Sequence, residues 1–151
     1  MIEIVAARPT HVGPIANRMR EIDRLEVSIG SSTPKNALRW GLMMGSAYTI
    51  LADGQPIGMF GIIDTSLMTA KGRIWALFTE EAMKHPRAFL VQGPQIIKVL
   101  TQRYRLLTNY VHADNRAAIR WLKRMGFTVK GVEDVNGHPM RMIELCVTRQ
   151  P

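Results

Sequence analysis

LLTNYVHADNRAAIRWLKRMGF, residues Leu106 to Phe127, is the stretch whose reading decides the fold. Leu106 to Val111 is a short apolar run suited to a buried strand. His112, Ala113 and Asp114 break it, and a helical pattern opens at Asn115 or just before it. Ala118, Ile119, Leu122 and Met125 recur at offsets of three and four, so they share a face, with Arg116, Arg120, Lys123 and Arg124 on or beside the opposite one. Asp114 or Asn115 caps the first turn, because a short side-chain oxygen accepts the unpaired amide hydrogens there. Gly126 suits the left-handed position that ends a helix, and Phe127 packs back on the last turn.

Downstream, Thr128 to Val135 and about Pro139 to Thr148 read as strands joined at Asn136-Gly137, a hairpin signal. Upstream, Ile2 to Ala6 alternates and is β-branched, a first strand. Thr10 is a candidate cap for one helix from about His11 to Leu25, buried through Val12, Ile15, Ala16, Met19 and Ile22. Ser28 to Ser32 reads as a loop. Thr33 then caps a helix with Pro34 at its first position, ending near Gly45-Ser46. Ala47 to Leu51 and Pro56 to Ile63 form a hairpin around Asp53-Gly54. Arg73 to Phe78 is a central strand, and Thr79-Glu80-Glu81 looks like a helix start. A longer helical segment runs from Pro86 to about Tyr104, with a kink or restart expected at Gly93-Pro94. The order β, α, α, β, β, β, α, β, α, β, β predicts one α+β domain over residues 1–151, with about seven strands in a mixed sheet flanked by about four helices.

The 151 residues suffice for one core, and 21% charged against 46% hydrophobic residues is an ordinary globular mix. Net charge +8 favours an anionic partner or a solvated basic surface. Cys146 is alone, so no internal disulfide forms and a reducing compartment is expected. MIEIVAARPTH lacks the pattern of a signal peptide, and no apolar run is long enough to span a bilayer, so a soluble intracellular protein is expected. No His/Cys/Asp/Glu cluster has metal-ligand spacing, and no Walker loop, dinucleotide fingerprint or serine elbow appears. Met43, Met44, Met59, Met68, Met140 and Met142 form either an adaptable contact surface or core filling, and Trp40 and Trp75 read as packing anchors.

The element order resembles the GNAT (N-acetyltransferase) fold. Asn115-x-x-Ala118-x-x-Trp121-Leu122-x-x-x-Gly126-Phe127 resembles its late signature, and Arg8-Pro9 is similar to the Arg-Pro that many members carry after the first strand. The resemblance implies acetyl-CoA in a V-shaped opening between the fourth and fifth strands, held by backbone groups of the fourth. Leu77, Phe78 and Thr79 are the implied cofactor-binding positions there, with Asn115, which either binds cofactor or only caps its helix. A glycine-rich turn would cradle the pyrophosphate at the next helix. Residues Thr79 to Arg87 contain no glycine and two adjacent carboxylates, leaving Arg87 or Lys84 as the candidate phosphate ligands.

Many members place a tyrosine acid where this chain has Leu122, and Tyr110 is a substitute only if its hydroxyl faces the cleft. Glu80 and Glu81 are candidate general bases or simply acidic residues favoured in a first helical turn. His112 is a cleft histidine or a hydrogen-bonded structural one.

A narrower resemblance runs through Trp75-Ala76-Leu77-Phe78-Thr79, His85-Pro86-Arg87-Ala88-Phe89-Leu90, Leu107-x-Asn109-x-Val111 and Asn115-Arg116-x-Ala118-Ile119-Arg120-Trp121-Leu122. With Tyr104 before the last two segments and Gly126-Phe127 after them, the run is similar to the GNAT-like phage proteins, a group that includes an internal virion protein of short-tailed coliphages. This implies a role in virion morphogenesis with phage structural proteins as partners, a degenerate acyl-CoA site, and residence in the host bacterial cytoplasm or the virion. Two other readings stand beside it. One is an active acetyl-CoA-dependent N-acetyltransferase acting on a small-molecule or peptide amine. The other is a nucleic-acid-binding protein using Arg116, Arg120, Lys123 and Arg124, with salt-dependent affinity.

Overall fold

Strand β1 (Ile2–Ala6) pairs antiparallel with β2 (Gly45–Ala52) in the computed structural model, which describes residues 1–147. The chain turns into β3 (Gln55–Ser66) through Asp53 and Gly54, at φ 48° and 82°. Positive φ at both positions gives the turn the right-handed twist of its strands, which is why Asp-Gly signals it. β4 (Lys71–Phe78) continues antiparallel, and β5 (Leu106–His112) then lies parallel to β4. β6 (Thr128–Val135) and β7 (His138–Cys146) form the closing hairpin, again through positive φ at Asn136 and Gly137. The sheet order is β1-β2-β3-β4-β5-β7-β6, the mixed, mostly antiparallel seven-stranded arrangement expected.

Helices cover both faces. Helix α4 (Pro86–Leu100) and α5 (Arg116–Arg124) bury Ile97, Leu100, Ile119 and Leu122 against Phe60, Ile62, Ile74, Leu107 and Ile143. On the other face α1 (Val12–Asn17), α2 (Glu21–Ile29) and α3 (Pro34–Met44) pack Val12, Ile15, Val27 and Leu38 against Met59 and Leu77. Each such side chain contributes about 1.5–3 kcal/mol by leaving water. Thr33 caps α3, accepting from the Asn36 amide at 3.3 Å, and Asn115 caps α5, accepting from Ala118.

Four expectations need correction. The single helix from His11 to Leu25 is two helices, preceded by a 3-10 turn at Pro9–His11 that contains Thr10, so Thr10 caps neither. Between them Met19 bridges Thr79 and the Arg20 amide donates to the Phe78 carbonyl at 2.9 Å. The open edge of β4 offers the backbone a partner, and that pairing outweighs local helix propensity. The second helix also runs to Ile29, into the expected loop. Of the kink or restart expected at Gly93-Pro94, the restart does not occur, since α4 runs unbroken through Pro94. Gly93 lets it lie against α5, where an added Cβ would sit 2.8 Å from the Met125 sulfur, and this contact offsets the missing proline amide. Trp75 is a packing anchor, stacked so closely over Gly41 that a Cβ there would be 2.2 Å from its ring, whereas Trp40 is exposed. Thr148 lies outside the described residues.

Candidate functional site

Strands β4 and β5 pair only over Lys71–Arg73 and Leu106–Thr108 and then diverge. Asn109 holds the split. Its Nδ2 donates to the Ile74 carbonyl at 2.6 Å and its Oδ1 accepts from the Tyr110 amide at 2.7 Å. A side-chain amide carries the same donor and acceptor as a peptide, so it satisfies both strand edges where they stand too far apart to meet.

Helix α2 spans the mouth of this fork. Asp23 Oδ2 accepts from the Phe78 amide on β4 at 2.8 Å, and Glu26 Oε1 accepts from the His112 amide on β5 at 3.0 Å. Residues three apart on a helix lie on one side of it, so one short helix ties the two strands together. Between the Asn109 wedge and the α2 clasp lies Ala76. Thr79 donates to the Ile57 carbonyl, so with the β3–β4 register Leu77 and Trp75 bond to β3 and Ala76 turns its amide and carbonyl toward β5. No strand meets them there.

The mouth is polar and buried. Arg20 donates to both Asp23 oxygens, at 2.8 and 3.2 Å, and to Asn115 Oδ1 at 3.4 Å. Asn115 Nδ2 donates to Glu26 Oε1 at 2.9 Å. Burial pushes the Asp23 carboxyl up, opposed by its hydrogen bond and charge pairing with Arg20. Burial also pushes Glu26 up, to about 7, against the hydrogen bonds from Asn115 and His112. Both residues line a cavity of about 470 Å³ that extends between α4 and α5. Its walls are mainly apolar, including Phe60, Ile97, Leu100 and Leu122, and Arg120 and Arg124 stand on its α5 side. A carboxylate half-ionised near neutral pH, facing an apolar cavity, is suited to take a proton from an incoming amine.

The structure brings only some of the sequence-derived candidates to this cavity. Phe78 lines it, but its amide and carbonyl are taken by Asp23 and Arg20. Leu77 packs on the opposite face, with Met59. Thr79 points away, its amide and hydroxyl both donating to the Ile57 carbonyl at 2.9 Å. Asn115 lines the cavity and caps its helix at once. Tyr110 lines it too, but its hydroxyl donates to Glu133 at 3.1 Å, which raises the phenol above its usual range. His112 is buried, its ring Nδ1 accepting from the Asp114 amide at 3.0 Å. Glu80 and Glu81 sit on an exposed 3-10 turn (Glu80–Lys84), where the Lys84 hydrogen bond, 2.9 Å, holds Glu81 below the usual carboxylate range. Arg87 is exposed in the first turn of α4.

Sequence reasoning missed Arg20, Asp23, Glu26, Ala76 and Asn109. One signal was present: Asp23 falls four residues after Met19, on the apolar face of the predicted helix, where a carboxylate needs a buried partner.

No family model and no curated protein matches the sequence. Solved structures do. A GNAT-family acetyltransferase from Streptococcus pneumoniae superposes at TM-score 0.65 and 12% identity, covering 98% of this chain and 100% of that one. A ribosomal-protein alanine N-acetyltransferase from Escherichia coli matches at TM-score 0.70 and 14% identity, over 100% and 97%. A ribosomal-protein α-N-acetyltransferase solved with coenzyme A matches at TM-score 0.65 and 15% identity, over 97% and 94%. At these identities the likeness establishes the GNAT fold.

Proposed function

We propose that this chain is a GNAT-fold protein of a bacteriophage or prophage, serving virion morphogenesis on a scaffold whose acyl-CoA site is weakened. The observation that carries the weakened site is the clasp itself. Asp23 and Arg20 occupy the Phe78 amide and carbonyl, leaving Ala76 as the β4 peptide open in the fork. The arm of an acyl-CoA fits there through one peptide. Its pyrophosphate fits poorly, because Thr79 to Arg87 offers no glycine and exposes Glu80 and Glu81. The phage assignment is supported by the resemblance of Trp75 to Thr79, His85 to Leu90 and Tyr104 to Phe127 to GNAT-like phage proteins.

Calorimetric titration with acetyl-CoA tests this reading, together with the identity of proteins that co-purify from infected or induced cells. No saturable heat at millimolar ligand and co-purifying phage structural proteins are the expected results. Micromolar affinity, about −8 kcal/mol, overturns the weakened site.

One observation favours a second reading, an N-acetyltransferase: Glu26 near pKa 7 beside the cavity. Acetyl-CoA supplies the activated acyl group in that reaction. Glu26 receives the proton of the acceptor amine, Ala76 orients the cofactor arm, and Arg120, Arg124 and Arg87 supply positive potential for its phosphates. Acetyl transfer to an amine panel that is lost in Glu26→Gln, with acetyl-CoA binding retained, is the result that supports it.

A further inference from the structure

The end of the sheet away from the fork exposes apolar side chains among cations. At the β3–β4 turn Leu67 is 83% and Met68 99% exposed. The turn is built rather than slack. Thr69 donates from its amide and its hydroxyl to Ser66 Oγ, at 3.3 and 2.7 Å, and the Ala70 carbonyl accepts the Arg105 amide at 2.7 Å. The register brings the C-terminus of α3 to the same end, since Gly45, following Met44, lies opposite Ile63, which lies opposite Arg73. Trp40, Met43 and Met44 are exposed there at helical spacing. Arg39, Lys71, Arg73, Arg103 and Arg105 are exposed around them, and among the described residues none forms an ion pair. Asp64, the carboxylate beside the turn, accepts the Tyr104 hydroxyl at 2.5 Å.

Two almost wholly exposed apolar side chains at a turn, with cations that have no carboxylate partner beside them, suit a fluid anionic interface. Its apolar side chains reach past the headgroups while the cations behind them meet phosphates. Methionine, unbranched and adaptable, packs well among acyl chains. We infer that this end docks on an anionic lipid bilayer, with Leu67 and Met68 entering the headgroup–acyl boundary and Lys71, Arg73, Arg103 and Arg105 contacting lipid phosphates. Docking in this way turns the fork away from the surface, where its cavity stays accessible. The surface is independent of the fork, so it stands whether or not acetyl-CoA binds.

The test is flotation of the full chain with phosphatidylcholine vesicles, with and without phosphatidylglycerol, at low and high salt. The variants are the double substitution Leu67→Ser/Met68→Ser and, as a control exposed elsewhere, Val91→Ser. The expected result is binding to the anionic vesicles that high salt releases, roughly tenfold weaker in the double variant and unchanged in the control. Failure to float with anionic vesicles overturns the inference, as does equal binding to pure phosphatidylcholine. Full binding by the double variant also overturns it, because charge alone then accounts for the attachment. All three side chains are exposed, so matched melting curves confirm that the variants fold.

Discussion

Glu26 holds its proton up to about pH 7 in the folded chain, against a model-peptide value of 4.5. Between those values the native state binds more protons than the unfolded state, so stability falls as pH rises through this window. The contribution is greatest at its acid end and is lost above pH 7, up to about 3 kcal/mol in all. Glu26→Gln keeps an oxygen for the Asn115 and His112 donors and removes the titration. Urea midpoints from about pH 5 to about pH 8 should therefore fall less steeply in the variant than in the parent. Asp23 makes a harsher test. Asp23→Ala strands the Arg20 guanidinium and the Phe78 amide in the interior and should lower unfolding free energy by about 3–5 kcal/mol. Asp23→Asn keeps an acceptor and should lose less, as chemical denaturation will show. Asp23 left a trace in the sequence, a carboxylate on the apolar face of the predicted helix, and Glu26 left none. Both fall within the helix predicted to Leu25 or just beyond it, and their partners lie on strands more than fifty residues downstream.

At the scale of elements, the wedge and the clasp explain why some of the chain could be read and some could not. The Asn115 cap, Gly126 and the Asp53-Gly54 turn act through neighbours within four residues, so their signals are local and their geometry follows directly. The break between α1 and α2 has no such signal, because its cause is the vacant edge of β4. Asn109 reads as an ordinary polar residue in an apolar strand until the divergence of its neighbour is known. Replacing it with valine leaves the Ile74 carbonyl and the Tyr110 amide without partners. Asn109→Val should destabilise the fold by about 1–3 kcal/mol, measured by urea denaturation, despite valine's better strand propensity. An unchanged or raised midpoint would show that water satisfies those groups and that the side chain is not what holds the strands apart.

For the whole molecule, element order and hairpin chemistry were enough to reach an α+β domain on a mixed sheet, the resemblance of Asn115 to Phe127 to a family signature pointed to the GNAT fold, and the glycine-free span after β4 was visible as a departure from it. The rest depends on which strands stop pairing, a property no single segment encodes. The three-residue junction of β4 with β5 has a consequence for motion. Strands β1 to β4 form one continuous ladder, β5 to β7 another, and the backbone seam between them is that junction together with the bonds that the Ala70 carbonyl accepts beside it. The two ladders are therefore candidates for separate cooperative units, coupled by the Asn109 amide, the α2 carboxylates and the packing of α4 on α5. Native-state hydrogen exchange should resolve two protection classes with a boundary at Arg73 and Thr108, and Asp23→Asn should lower protection at the seam before either ladder's interior. A single class spanning all seven strands, unmoved by that substitution, would mean that side-chain packing alone makes the sheet open and close as one body.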